Sequence, residues 1–409
     1  MENKAIVVYP YRWVVLGVFM IIIAANQLLW ITFAPVTSEA MRYLHATDLQ
    51  IGLLSMSFMV VFILLSIPAS WIIDRYGIRI GVGIGVLLTG VFGLMRGLIS
   101  TDYTSVLLSQ IGIAAGQPFL LNAITKVASR WFPINERATA AGLGTLSMYV
   151  GIFAGMVVTP YLVKQGGMES TLYYYGLFAA VAAVLFFVGV REKPPTPTCR
   201  PDQEERSLVL DGMKHIFKVK DFNLLLIIFF IGLGIFNCVT TWIENILVPR
   251  GFTAMEAGTT GGVMILSGIM GAFIMPTISD RLRKRKPFII LAVFGAAIGL
   301  AGICFATSYW MLMFSGVVLG FFLLSSGPIG FQYGAEVTYP ISEGTSNGFL
   351  LLMGQISGIA MILLMDVFKD PVTGSMTKPM LALLGLMVVA VLVSLLLKES
   401  KLLSDENNQ

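Results

Sequence analysis

Along most of the chain, apolar residues gather into runs of about twenty, long enough to cross a hydrocarbon layer as helices, with short polar or charged stretches between them. The runs predict spans at roughly 13–36, 52–73, 80–98, 105–128, a fifth after Glu136-Arg137 that closes at Pro160, and 173–190. Six more follow at roughly 224–248, 257–278, 288–306, 311–337, 348–365 and 380–397. Between the two sets the composition turns to Pro194, Pro195, Pro197 and dense charge, the signature of a solvated connection. The expected layout is an all-α membrane protein: an N-terminal six-helix bundle over 1–190, a cytoplasmic linker over 191–221, and a C-terminal six-helix bundle with a short tail over 222–409. Within the linker, 208–217 has the pattern of a short amphipathic helix lying on a membrane surface.

Composition agrees with the pattern. At 409 residues, 56% hydrophobic and 12% charged, with a mean hydropathy of +0.83, the chain is more apolar than a water-soluble core of this length can absorb. The net charge of +4 comes with no basic block interleaved with aromatics, so no nucleic-acid partner is expected. Cys199, Cys238 and Cys304 are far apart and form no CxxC, and His45 and His215 fall in loops, so neither a metal site nor a cofactor is expected. The first apolar run outlasts a signal-peptide core and lacks a small-residue cleavage site, so it reads as a retained span. Placing both termini in the cytoplasm leaves only Arg42, Arg96, Lys164, Arg250, Lys369 and Lys378 outside or near the outer face, which fixes the expected orientation in a cell membrane. The expected partners are membrane lipids and a small-molecule substrate, with the protein a monomer.

Asp74-Arg75-Tyr76-Gly77-Ile78-Arg79 cannot sit in lipid and must form a tight connection between spans 2 and 3. Asp74 ends one helix, Gly77 tolerates positive φ and Arg79 begins the next. A looser version, Ser279-Asp280-Arg281-Leu282-Arg283-Lys284-Arg285, recurs half a chain later, as two halves built on one plan require. This stretch resembles the major facilitator superfamily loop Gly-x-Leu-Ala-Asp-Arg-x-Gly-Arg-Arg, with Ser70 in place of its first glycine. The resemblance implies twelve spans in two pseudo-symmetric bundles that rock about a central site. It also implies a cytoplasmic latch of Asp74, Arg75, Gly77 and Arg79, with Arg130 as a nearby partner and Asp280 and Arg281 as the second copy. No Gly-x-x-x-x-Gly-Lys phosphate loop is present, which argues against an ATP-driven pump.

A carrier also needs polar groups at mid-membrane depth, and counting along the spans places Asn26, Trp30, Gln117, Asn122, Tyr149, Asn237, Asn245, Gln332, Tyr333 and Gln355 there. Any one of these amides can staple helices together; a set spread over both halves favours a cavity. Charge is scarce at that depth, with Glu39 and Glu244 toward the outer face and Lys126 and Glu336 toward the inner. A neutral aromatic cavity suits a cation or a neutral solute, because ring faces attract cations without a counter-charge. Gly151, Gly155, Gly261, Gly268 and Gly271 permit close helix contact.

A narrower resemblance lies at Glu336-Val337-Thr338-Tyr339-Pro340-Ile341-Ser342-Glu343-Gly344-Thr345-Ser346. It is similar to the Glu-Ile-Thr-Tyr-Pro-x-Ser-Glu-Gly-Thr-Ser stretch of the FLVCR family of haem and choline carriers, and Ala128-Ser129-Arg130-Trp131-Phe132 and Trp30-Ile31 fit the same family. In these terms Glu336 and Glu343 bracket a Pro-broken turn at the cytoplasmic mouth. The resemblance implies an aromatic and amide cage at Trp30, Gln117, Asn245 and Gln355, to which Asn26, Tyr149, Trp242 and Tyr333 are added as candidates. One aromatic cage position falls on Cys238, with Phe236 and Trp242 near it. The expected function is alternating-access transport of an organic cation or zwitterion of the choline or ethanolamine type. The alternatives are a proton-coupled carrier of an organic anion, vitamin or haem-like compound, and a transport-dead sensor. With no histidine in a span, an enzyme is not expected.

Overall fold

The structure, a computed structural model, describes residues 8–196, 216–339, 341 and 343–400, and leaves aside the side chains of Ile134, Asn135 and Glu343. Cys199, His215 and most of the expected surface helix over 208–217 lie outside the described residues. The chain divides into two compact units, Met1–Ser207 and Leu208–Gln409.

The first unit holds α1 (Arg12–Ile31), α2 (Thr37–Leu44), α3 (Asp48–Leu98), α4 (Tyr103–Leu121), α5 (Ile124–Trp131) and α6 (Ile134–Gly189). The second holds α7 (Lys220–Thr241), α8 (Ile243–Leu247), α9 (Ala254–Leu282), α10 (Lys286–Phe305), α11 (Tyr309–Thr338), α12 (Glu343–Val367) and α13 (Thr377–Leu395). Counting α1 with α2 and α4 with α5, ten helical runs among the described residues are long and apolar enough to cross a membrane. Outward-facing Ile67 and Trp310, each 80% exposed, are the side chains such a surface presents to lipid.

Ten runs stand where twelve spans are expected because α3 and α6 are of double length, 51 and 56 residues. Unbroken, at about 1.5 Å per residue, either would exceed twice the thickness of a hydrocarbon core. Each breaks at one glycine: Gly77 takes φ 83° and ψ −172°, and Gly167 takes φ 80° and ψ 176°, a region essentially closed to side chains. The arms of α3 fold back on one another. A Cβ on Gly81 would lie 2.7 Å from the Ile73 Cα, although eight residues of straight helix would separate the two by about 12 Å. The fifth span does not close at Pro160; α6 continues through it to Gly167. Pro68, Pro118, Pro276 and Pro328 also sit inside helices, as membrane helices allow when neighbouring groups satisfy the freed carbonyl.

The two units repeat one another in their caps. Thr47 forms a capping box with Gln50 at the start of α3, and Thr253 forms one with Glu256 at the start of α9. The Asp102 carboxylate accepts from the Ser105 amide at the start of α4, and the Ser308 hydroxyl accepts from the Met311 amide at the start of α11. The same sequence separation joins both pairs of caps. Packing repeats too: α1 lies along α6, and α3 on α4 and α6, while α7 lies along α12, α9 and α10 pack on α11, and α10 on α13. In the first unit Phe19, Ile22, Val82, Val86, Phe119, Trp131 and Phe186 form one buried core, and Phe33, Val36, Leu54, Val106 and Leu172 another.

Three expectations are refined. Arg96, in the last turn of α3 and so at the end of its span, is wholly buried. Its guanidinium donates to the Leu29 carbonyl (2.9 Å), Gln110 Oε1 (2.7 Å) and Thr32 Oγ1 (3.3 Å), neutral acceptors that let a long cation lie among helices. Tyr333 is not a mid-depth group, because its hydroxyl donates to the carbonyl of Lys398, beyond the end of α13 (2.6 Å). The first residues of the linker, of which Arg191, Lys193 and Pro195 are exposed, also touch the first unit. Arg191 lies over the Tyr11 ring (5.2 Å), Thr196 donates to the Tyr9 hydroxyl (3.4 Å), and Glu192 binds the start of the second arm of α3.

Candidate functional site

In the first unit, α1 ends at Ile31 and the chain turns through Thr32 and Phe33 before α2. Trp30, one residue before that end, is 6% exposed; its indole N–H donates to the Ser55 carbonyl (3.1 Å) and its ring meets Phe58 at 6.5 Å. Gln117 on α4 is likewise 6% exposed. Asn26, fully buried, donates to Thr89 Oγ1 (3.0 Å) and the Ile113 carbonyl (3.2 Å), and accepts from Gln27 (3.4 Å). Its amide therefore joins α1 to α3 and α4 and has no donor left over. Tyr149, on α6, is half-buried.

In the second unit, α7 stops at Thr241, Trp242 takes φ −99° and ψ 17°, and α8 resumes the helix. Trp242 is completely buried and donates its indole N–H to the Ile362 carbonyl (3.3 Å). Around it, Thr241 and Glu244 are each 2% exposed and Asn245 is half-buried. Thr241 Oγ1 and Asn245 Oδ1 are shielded and, among the described residues, have no hydrogen-bond partner. Gln355, on α12, is half-buried, and the neighbouring Gly354 carbonyl receives the Asn237 amide (3.2 Å). Cys238 is buried and directs its thiol to Met365 Sδ (3.0 Å), so it packs α7 against α12.

At the expected latch, Asp74 pairs with Lys126 (2.5 Å), which lies one helical turn before Arg130 on α5. Arg75 stacks over Trp71 (5.4 Å) and Tyr76 (5.8 Å). Asn122, between α4 and α5, donates to Ser66 and to Ser70 Oγ (2.9 Å), which gives the serine in the glycine position a task. In the second unit Arg285 binds Asp280 and Glu336 (3.1 Å), and Gln332 donates to the same Glu336 oxygen (3.1 Å). Arg281 is exposed in the last turn of α9, and the Glu343 side chain lies outside the described residues.

Two carboxylates that the sequence reading passed over complete these corners. Glu192 accepts from the amides of Ile78 (3.0 Å) and Arg79 (2.7 Å), and Glu399 from those of Arg285 (2.7 Å) and Lys286 (3.3 Å). A carboxylate on the first free amides of a helix satisfies them and meets the positive end of its dipole. The available signal was Val190-Arg191-Glu192 against Leu397-Lys398-Glu399, a basic residue and a glutamate directly after the last long apolar run of each half. Among the described residues no three His, Cys, Asp or Glu side chains gather where they could hold a metal ion.

Comparison with known proteins adds the following. A family model described as Major Facilitator Superfamily matches residues 19–362. The chain is 30% identical over 389 residues to solute carrier family 49 member A3 of Xenopus tropicalis, covering 91% of this chain and 80% of that protein. It is 26% identical over 370 residues to the choline/ethanolamine transporter FLVCR2 of Homo sapiens, covering 85% and 70%. Its fold is similar to the crystal structure of a bacterial homolog to the human lysosomal transporter Spinster, inward-facing and unoccupied. The TM-score is 0.73 at 16% identity, covering 94% of this chain and 96% of that one.

Proposed function

The chain belongs to the Major Facilitator Superfamily and, within it, to the solute carrier 49 and FLVCR group of multi-pass secondary transporters, and from that premise we propose that it carries a small organic cation or zwitterion of the choline or ethanolamine type. The supporting observation is a set of uncharged groups, Trp30 and Gln117 in the first unit and Asn245 and Gln355 in the second. Ring faces and amide oxygens of this kind hold a cationic head without a fixed counter-charge. Alternating access moves the solute, and the Asp74 and Asp280 corners govern the cycle. The protein works as a monomer in the cell membrane with both termini in the cytoplasm, a placement supported by the basic residues Arg75, Arg79, Arg130, Arg281 and Arg283 on connections of one side.

Uptake of labelled choline and ethanolamine into proteoliposomes tests the reading. The intact protein takes up one or both, and Trp30→Ala abolishes uptake while eluting as a folded species. Undiminished uptake by Trp30→Ala would remove Trp30 from the site. A second reading, proton-coupled transport, is supported by the carboxylate of Glu244, which is 2% exposed within an apolar span. Under that reading an imposed pH gradient drives uptake and Glu244→Gln does not respond to it.

A further inference from the structure

Many helical threonines among the described residues return their hydroxyl to the carbonyl one turn back, and the buried Thr89 and Thr159 pair instead with Asn26 and Tyr175. Thr32 donates to Leu28, Thr145 to Ala141, Thr240 to Phe236, Thr260 to Glu256 and Thr338 to Gly334. This is the ordinary way to hide a hydroxyl in an apolar span. Thr241 departs from it: 2% exposed, at the last position of α7, it leaves Oγ1 without a partner. Four residues on, Asn245 leaves its shielded Oδ1 unpartnered as well. A buried polar atom without a partner costs free energy, and two of them four residues apart, one on each side of the break at Trp242, mark a place where a hydrogen-bond donor belongs.

The surroundings select the charge of that donor. Thr241 closes a helix of 22 residues, so the negative end of the α7 dipole falls at this bend. The buried Glu244 lies between the two oxygens in the chain and adds a carboxyl group to the same bend. Trp242 turns its own N–H away to Ile362, so the bend's one indole donor does not fill either oxygen.

We infer that the bend at Trp242 is a subsite for a protonated primary amine, whose N–H groups are received by Thr241 Oγ1 and Asn245 Oδ1. The inference rests on the proposed function and sharpens it, because a quaternary ammonium has no N–H to give and would leave both oxygens unsatisfied. A site built to receive hydrogen bonds discriminates strongly against an analogue that lacks the donor. Ethanolamine therefore binds more tightly than choline.

The test is thermal unfolding of the purified full-length protein, titrated with ethanolamine, choline, tetramethylammonium and sodium chloride at constant ionic strength. Half-saturation is expected at a concentration about tenfold or more lower for ethanolamine than for choline. Thr241→Val, nearly isosteric, and Asn245→Leu should each bring the two values together, and Thr241→Ser should restore the gap. Equal affinity for primary and quaternary amines, or a preference unchanged in Thr241→Val, overturns the inference and leaves the proposed function standing. A shift with sodium alone that Thr241→Val removes also overturns it, since the oxygens would then serve an alkali cation. No shift with any amine overturns both readings.

Discussion

The carboxylate of Glu192 lies 3.0 Å from the amide of Ile78, 114 residues earlier in the chain, and Glu399 holds the amide of Arg285 at 2.7 Å across the same 114 residues. In each half, the segment that leaves the last span returns to cap the helix that follows the charged connection. Replacing either glutamate with alanine should cost about 0.5–2 kcal/mol, the usual worth of a helix N-cap, while glutamine should cost less. Thermal unfolding of the single variants measures this, and an unchanged midpoint for Glu192→Ala would show the contact to be incidental.

Gly77 sits under the same carboxylate. Alanine there would be forced into φ 83° with its Cβ against Glu192, so Gly77→Ala should destabilise by about 1–3 kcal/mol. Gly142, helical and with open space around its Cα, provides the comparison: Gly142→Ala should be neutral or stabilising by up to about 1 kcal/mol. Unfolding midpoints of the two variants should therefore move in opposite directions or differ clearly in size.

The pair Asp74–Lys126 is partly solvated, with side-chain exposures of 41% and 20%, and such a pair contributes only about 0–1 kcal/mol to stability. Its value is expected in the cycle. Asp74→Asn and Lys126→Met should each lower the maximal transport rate with little change in half-saturation, and the double variant should be no worse than the more severe single. Additive losses would mean that the two side chains act separately.

Arg96 is wholly buried among neutral acceptors and lies over the Phe33 ring (5.3 Å). Arg96→Leu would leave Gln110 Oε1 without its donor and withdraw one from the Leu29 carbonyl, a loss of about 1–3 kcal/mol. Adding Gln110→Leu removes one of those stranded groups and should recover part of the loss. A double variant that is fully additive would argue against direct coupling.

Asp102 gives a pH-dependent cap. Hydrogen bonds from the Ser105 side chain and amide hold its carboxyl below the usual carboxylate value. A depressed acid stabilises at pH above its unfolded value of about 3.9, and that stabilisation is lost as pH falls through the folded one. Asp102→Ser should therefore melt below the parent at pH 7, and the two curves should converge as the pH falls through the folded value of Asp102. Ser308 does the corresponding work in the second half without titrating.

The apolar runs and the Asp74 to Arg79 motif made the helical architecture and the two-part plan legible, because lipid permits few alternatives to long helices. The tight turn expected at Gly77 is where α3 breaks, whereas the break of α6 at Gly167 carries no charged motif and was not singled out; each is decided by one glycine dihedral. The place of Arg96 at the end of its span was legible because charge is ordinarily excluded from a span, but its burial was not. Only the positions of Leu29, Thr32 and Gln110, from two other parts of the fold, make its burial tolerable. Tyr333 was misplaced because depth was counted along α11, whereas its partner, Lys398, comes from the far end of the chain. Thr241 carried no sequence signal at all: next to Thr240 it looks like its neighbour, and only the bend at Trp242 separates their roles.

The two arms of α3 meet at one residue, and a joint that short has no slack. Inserting a single amino acid just after Gly77 would turn everything downstream by about 100° about its axis, enough to swing the outward stripe of Leu87 and Val91 toward the protein interior. The polypeptide thus tolerates changes of identity along this arm far better than a change of length, and an epitope tag or spacer placed there would scramble the bundle where one at a chain end would not.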